Sequence, residues 1–366
     1  MSEIQQKEGI MKQTLRFAFS LLFFALLLPG SAGTLKGIYK PQMIRVFDDE
    51  LFVVEGHRIF VYDLADLSLK TVIGKEGEGP GEFRLDPSRT LIISVFPDFI
   101  HAESRNKIVH FTRGGTFIKE IRKAPGILQA LPIRENFVVH KILYGPGGKN
   151  YFTLNIYDGR MQEVKELFRQ RFFTYEDKVY VMPDGLHFCI IDDRICVEES
   201  PRGFVIEVFD HRGNRLRTIE KPYDRIAVNG DARTRAFREY LEIPAFKRMI
   251  RERGQAFFDN FIKQQLYEYP DHFSPIQHIL ADDHILYVRT PLRRGNRESY
   301  QVLDLEGNVL QSVWLPVAKK VDFLVQMQGD KKYYTIHGGV YYHLELVETD
   351  EDEEWRLRRE AVERTE

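Results

Sequence analysis

An all-β fold, a six-bladed β-propeller, is the class this sequence predicts, and three observations predict it. A short unit of four strand-like segments recurs along the 366 residues. Aromatic content is 13%, with 27 Phe and 17 Tyr, and strands favour flat and β-branched side chains. The segments at the two ends of the repeat array complement each other, as ring closure needs.

The repeat comes first. Arg45–Glu55, Ile190–Glu198 and Ile279–Arg289 each read as apolar residues, an acidic pair, then an alternating apolar strand. The pairs are Asp48-Asp49, Asp192-Asp193 and Asp282-Asp283, which suit a hairpin turn that tolerates positive φ. Third strands, each ending in a turn, follow at 59–63, 204–213 and 300–307, and fourth strands at 69–73, 215–219 and 309–314. Four short antiparallel strands joined by polar turns make one blade. Weaker copies at 94–121, 135–168 and 321–347 bring the count to six. The last copy has three strands, and Thr34–Lys40 is expected to supply its fourth, which removes exposed sheet edges. Inner strands are expected at 43–47, 91–96, 186–191, 276–280 and 321–327.

Spacing exposes two insertions. Third-strand turns fall near residues 63, 114, 158, 211 and 306. Most intervals are about 45 to 55 residues, and one is near double. Its surplus, 229–275, carries helical spacing in Phe237, Tyr240 and Leu241, in Phe246, Met249 and Ile250, and in Phe258, Phe261 and Ile262. This predicts one helical insertion between the fourth and fifth blades. A smaller surplus at 171–183 reads as an additional strand or a long connection.

The expected domains are a signal peptide at 1–33, the propeller at 34–347 and a charged tail at 348–366. Lys12 and Arg16 precede an apolar run from Phe17 to Leu28 and a small-residue exit at Pro29–Gly33. About 12 apolar residues are too few to cross a bilayer, which takes about 20, so no transmembrane anchor is expected after leader removal. This points to a periplasmic or secreted protein. Cleavage after Gly33 removes Lys7, Lys12 and Arg16 against Glu3 and Glu8, which moves the net charge from -2 to -3. A nucleic-acid partner is disfavoured, because such proteins need a basic excess. The acidic run Glu348–Glu354 reads as the start of a frayed helix or disordered tail, or of a docking tail.

Cys189 and Cys196 flank the pair Asp192-Asp193, so a tight hairpin brings them opposite each other. A cross-strand disulfide and two buried thiols are both compatible with that spacing.

Gly74-Lys-Glu-Gly-Glu-Gly-Pro-Gly-Glu-Phe83 resembles the linker between blades in NHL-repeat and related exported bacterial six-bladed propellers. Val208–Leu216 and Val302–Leu310 are similar to the third-strand turn of that class. The resemblance extends to about Val347, although the linker is clear only once. It implies an exported six-bladed fold far more than a chemistry.

In such a fold the long connections share one face: the Gly-rich linker, Gly145–Lys149, Pro291–Arg297 and the helical insertion. The candidate ligand-binding residues on that face are Arg84, Arg225, Tyr269, His272, Arg293, Arg294 and Arg297. The competing reading packs the insertion's aromatic stripes onto the propeller and leaves the arginines as a solvated turn. The linker lacks the strand-to-helix context and the Lys-Ser or Lys-Thr of a phosphate loop. His272, His278 and His284 lack zinc-hydrolase spacing, so no metal or cofactor is expected. Polar members of the expected inner strands, His187, Gln277, His278, Asp322 and Gln326, form no ring of acids. These readings favour a non-catalytic binding or scaffold module for a peptide, protein or glycan. The alternative is a hydrolase or lyase with its site at the axial mouth.

Overall fold

A computed structural model describes residues 33–84, 91–176, 178–182, 186–198, 202–242, 244–316, 334–348 and 353–362. The expected leader, apart from Gly33, and the expected inner strand at 321–327 lie outside the described residues.

The hairpins form where the acidic pairs stand. Asp48, Asp192, Asp193, Asp283 and His284 take positive φ, so each two-residue turn twists with its flanking strands. Blade 1 runs Met43–Phe47, Glu50–Glu55, Arg58–Asp63 and Leu69–Ile73; blade 2 runs Ile92–Val95, Ile100–Glu103, Lys107–Phe111 and Phe117–Arg122. Blade 3 runs Phe188–Ile191, Arg194–Glu198, Phe204–Asp210 and Arg215–Lys221. Blade 4 runs His278–Asp282, Ile285–Arg294, Arg297–Leu303 and Val309–Pro316. Blade 5 takes Tyr334–His337, Val340–Glu348 and Glu353–Ala361, and its outer strand is Gly33–Thr34.

The expectation of six blades is therefore corrected. Among the described residues there are five four-stranded blades, not six, and the unit between blades 2 and 3 is a six-stranded sheet. Its first four strands are Ile127–Ile133, Asn136–Leu143, Lys149–Tyr157 and Glu163–Tyr175. Lys178–Tyr180 then turns back antiparallel on the long fourth strand, and Leu266–Glu268 adds in parallel to it. The surplus at 171–183 is thus partly an additional strand. The helical insertion further on holds three helices among the described residues, one for each apolar stripe: α1 (Gly230–Leu241), α2 (Pro244–Arg253) and α3 (Gln255–Lys263). They lie between blades 3 and 4. Asn229 caps α1 by accepting from the Ala232 N–H at 2.9 Å.

Apolar clusters join each unit to the next around the axis. Phe52, Phe83, Ile93 and Phe111 pack between blades 1 and 2; Ile108, Ile127 and Phe137 join blade 2 to the six-stranded sheet; Val138, Leu154 and Val197 join that sheet to blade 3. Ile206, Ile279 and Val288 join blades 3 and 4, and Tyr300, Val302 and Tyr341 join blades 4 and 5.

Blade 5 meets blade 1 through Ile44, Tyr62, Leu344, Trp355 and Leu357. The segment expected as a charged tail is therefore built into the sheet as its third strand. Its charges alternate with Trp355 and Leu357, which are buried, so the period-2 pattern sits inside an acidic composition. Gly33 and Thr34 pair with Leu357 and Arg356, and the Trp355 indole donates to the Tyr39 carbonyl at 2.9 Å.

The third-strand glycines have a common reason. Gly115, Gly213 and Gly307 all hold φ between 76° and 90°. A Cβ there would stand 2.4 to 2.9 Å from Ile73, Leu167 or Ile219, each on the fourth strand of the preceding unit. Glycine permits both the turn and the close approach.

With this winding, the turns after the inner strands share one end of the molecule. Connections between units and between second and third strands share the other, the loop-rich end.

Candidate functional site

The three helices build a lobe with a core of its own. Val179, Val181, Tyr240, Phe246 and Phe258 are its buried members, with Phe237, Phe261 and Tyr267 packed against them. None of these belongs to a cluster between blades. The lobe attaches through Leu266–Glu268 on the six-stranded sheet and through a neck, where Val228 N donates to Asp271 O (2.8 Å) and Phe273 N to Ile226 O (2.9 Å). The aromatic stripes thus pack mainly on one another.

The residues singled out from sequence fall into three places. Arg225, Tyr269 and His272 gather at the neck, where His272 bridges to Ala227 and the Arg233 guanidinium sits 5.7 Å from the Tyr269 ring. Arg293, Arg294 and Arg297 occupy the blade 4 hairpin, and each has work there. Arg293 pairs with Glu298 at 2.5 Å, Arg294 lies 4.4 Å over the Trp314 ring, and Arg297 donates to the Trp314 carbonyl at 2.7 Å and pairs with Glu360 at 3.1 Å. Arg84 stands apart in the linker, paired with Glu78 at 2.9 Å. The linker itself buries Phe83 between blades 1 and 2. Gly74 there holds φ 82°, where a Cβ would lie 2.7 Å from the His57 carbonyl. Cys189 and Cys196 are buried directly opposite each other across the blade 3 hairpin.

Sequence reasoning missed a belt of buried polar groups just inside the loop-rich end. Its signal is a polar residue late in an otherwise apolar second strand: Glu103, His140, Glu198 and Arg289. Their exposures of 1%, 5%, 1% and 9% mean that each charge or dipole must be met by protein. These groups stand on second strands, one strand further out than the inner strands that line the axis.

The belt can be followed around the axis. In blade 2, Lys123 Nζ donates to Glu103 and to the Ser104 carbonyl (3.0 Å), and the Ala130 N–H donates to Glu103 Oε2 (3.0 Å). Burial would raise the Glu103 pKa, but Lys123, His101 and the Ala130 N–H outweigh it and hold the carboxyl below its usual range. His101 Nδ1 meets His110 Nε2 at 3.0 Å. Burial, with His101 and Lys119 beside it, pushes His110 down to about 3.

His140 on the six-stranded sheet is pushed down to about 4 by burial, against the opposing pull of Glu103, and its ring centroid lies 6.0 Å from that of Phe188. His187 follows, 3.9 Å from Glu198 and edge-on to His278 at 5.3 Å. His278 is the cross-strand neighbour of Arg289, which donates to Glu298 Oε2 at 3.0 Å and to the Gln277 carbonyl at 3.2 Å. Burial would lower the Arg289 pKa, yet Tyr334 and Glu298 raise it. Tyr334 in turn lies within electrostatic reach of Arg45 on the inner strand of blade 1. Glu103 and Glu298 are each engaged by cations, which makes the belt a structured wall of donors and acceptors. Among the described residues no group of three or more His, Cys, Asp or Glu is placed to hold a metal ion.

No family model matches the chain, and no curated protein matches it. The resemblance to NHL-repeat propellers therefore stands on the residues quoted for it. Solved structures do align. A member of the DUF4221 family from Bacteroides vulgatus is 12% identical over 90% of this chain and 95% of its own, with a TM-score of 0.47. Hsv2 from Kluyvelomyces marxianus is 11% identical over 90% and 88%, with a TM-score of 0.37. BamB from Moraxella catarrhalis is 8% identical over 86% and 71%, with a TM-score of 0.29. The β-propeller arrangement is carried by the chain's own sheets and the seams between them, and no described helix is long and apolar enough to cross a membrane.

Proposed function

We propose that the protein is a non-catalytic binding module of the cell envelope that holds an acidic protein surface against its loop-rich end, chiefly through the helical lobe. One observation carries this reading. Residues 229–264 hold eight basic and five acidic residues in a chain whose net charge is -2, so the lobe is a local positive excess. Arg235 and Arg238 on α1 and Arg248 and Arg251 on α2 are exposed, and no described carboxylate pairs with them. Phe257 (41% exposed) and Leu266 (62%) stand on the same lobe. Exposed aromatic and apolar groups among arginines fit a protein partner, where Arg and aromatic side chains supply most of the binding energy. The envelope location rests on the leader-like segment at 1–33.

The test uses poly-L-glutamate as the acidic probe. The full chain is expected to bind it with an affinity that falls as salt rises, and the Arg235→Glu/Arg238→Glu/Arg248→Glu/Arg251→Glu variant is expected to lose at least tenfold while its melting temperature holds. Equal binding by both proteins overturns the proposal.

A further inference from the structure

Two arginines of the polar belt stand deep in the molecule, and they are provided for differently. Arg289 has Glu298 and the Gln277 carbonyl. Arg45, among the described residues, donates to one acceptor, the carbonyl of its own neighbour Ile44 at 2.9 Å. A guanidinium carries five N–H donors and a permanent charge, so most of that capacity is unspent.

Its position says where a partner would come from. Arg45 lies at the centre of the innermost strand of blade 1. The outer edge of that strand is bonded to Glu50–Glu55, and the inner strands of blades 2 and 5 flank it. Among the described residues, its open side is the one that faces the axis. Arg45 keeps part of its surface exposed there, yet enough protein surrounds the guanidinium for burial to push its pKa down to about 10. Tyr334, the first residue of the neighbouring inner strand, adds a phenol beside it. A charge largely enclosed by protein, with no counter-ion among the described residues, destabilises the fold unless something else requires it.

We propose that Arg45, with Tyr334 beside it, forms a carboxylate-binding subsite in the axial channel. A carboxylate matches the guanidinium fork with two parallel N–H to O bonds and supplies the missing charge. The carboxylate can belong to a small acid or to the C-terminus of a peptide. The subsite is separate from the lobe and does not depend on what the lobe binds.

The test titrates the full chain calorimetrically with acetate and with N-acetyl-Ala-Ala as the free acid and as the amide, and follows melting temperature. Saturable binding of the free acid is expected, with at least tenfold weaker binding of the amide. Acetate binding as tight as that of the peptide acid assigns the site to small acids, and preference for the peptide acid assigns it to a C-terminus. Arg45→Met is expected to abolish binding and to raise the melting temperature, because it removes a charge that the fold leaves unpaired. Arg45→Lys keeps the charge without the fork and is expected to weaken binding at least fivefold. Equal affinity for acid and amide, unchanged binding in Arg45→Met, no binding by the native chain, or a melting temperature that falls in both variants overturns the proposal.

Discussion

Histidines on the acidic-pair rim of the propeller and histidines in its interior sit in opposite electrostatic surroundings. At the acidic-pair end, His284 of blade 4 meets Asp192 of blade 3 at 2.6 Å, and His337 of blade 5 meets Asp282 of blade 4 at 3.5 Å. Hydrogen bonding to those carboxylates raises both pKa values. In the interior of the sheets, away from water, His110 and His140 are buried and pushed down to about 3 and 4. The same contrast runs through the ion pairs. Arg134–Asp193 at 2.8 Å and Arg113–Asp48 at 2.7 Å join neighbouring units in contact with water, whereas Lys123–Glu103 is closed off from it. The difference separates two uses of charge in one fold: wet pairs trim the alignment of neighbouring units at little energetic consequence, and dry pairs must be complete or the seam fails.

The largest effect is expected from breaking the dry pair. Glu103→Ala leaves Lys123 charged and buried, and is expected to destabilise the protein by about 3–5 kcal/mol in urea unfolding. Removing both charges with Glu103→Leu/Lys123→Met is expected to bring stability back to within about 2 kcal/mol of the native chain, since well-packed apolar replacements of buried ion pairs are often neutral. A Glu103→Ala loss below about 1 kcal/mol, the range of exposed pairs, erases the proposed difference between rim and interior.

The next effect is a pH dependence whose sign differs between the interior histidines and those of the acidic-pair rim. His110 and His140 are neutral when folded and take up protons near pH 6.5 once unfolded. Their contribution is complete above about pH 6.5 and declines as pH falls toward 4, with a slope that approaches about 2.7 kcal/mol per pH unit once both are charged in the unfolded chain. His284 and His337 act the other way: their contribution is complete below about pH 6.5 and is lost as pH rises through their raised folded values. Urea midpoints measured from pH 4.5 to 8.5 are expected to show a steep acid limb and a shallow alkaline one. His140→Phe is expected to reduce the acid slope by about half. An acid limb no steeper than the alkaline one contradicts the burial of these two rings.

What the sequence revealed divides along the same line. Repetition revealed the blades, because acidic-pair turns and third-strand glycines recur for reasons that are local: a left-handed turn, and a Cβ that would strike the preceding unit. The six-stranded sheet was hidden, because its last strand comes from Leu266–Glu268, nearly ninety residues after the strand it joins, and short-range periodicity carries no record of such pairing. The third strand of blade 5 was hidden by composition, since its acidic neighbours masked Trp355 and Leu357. The belt escaped for a geometric reason. Glu103, His140 and Arg289 look like ends of apolar strands in one dimension, and only the winding of the sheets around an axis brings them into one layer.

The smallest effect tests the wet rim. Arg134 Nε donates to Asp193 Oδ2 at 2.8 Å between the six-stranded sheet and blade 3, with both side chains about half exposed. Water already solvates both groups well, and holding two long side chains in one geometry costs entropy, so their attraction is mostly offset. A double-mutant cycle of Arg134→Ala and Asp193→Ala is expected to give a coupling below about 1 kcal/mol that fades between 0.05 and 0.5 M salt. The single variants should leave the acid limb unchanged, because neither group touches His110 or His140. A coupling of several kcal/mol that resists salt would mean that this rim is as dry as the interior, and the opposite pH signs would then need another cause.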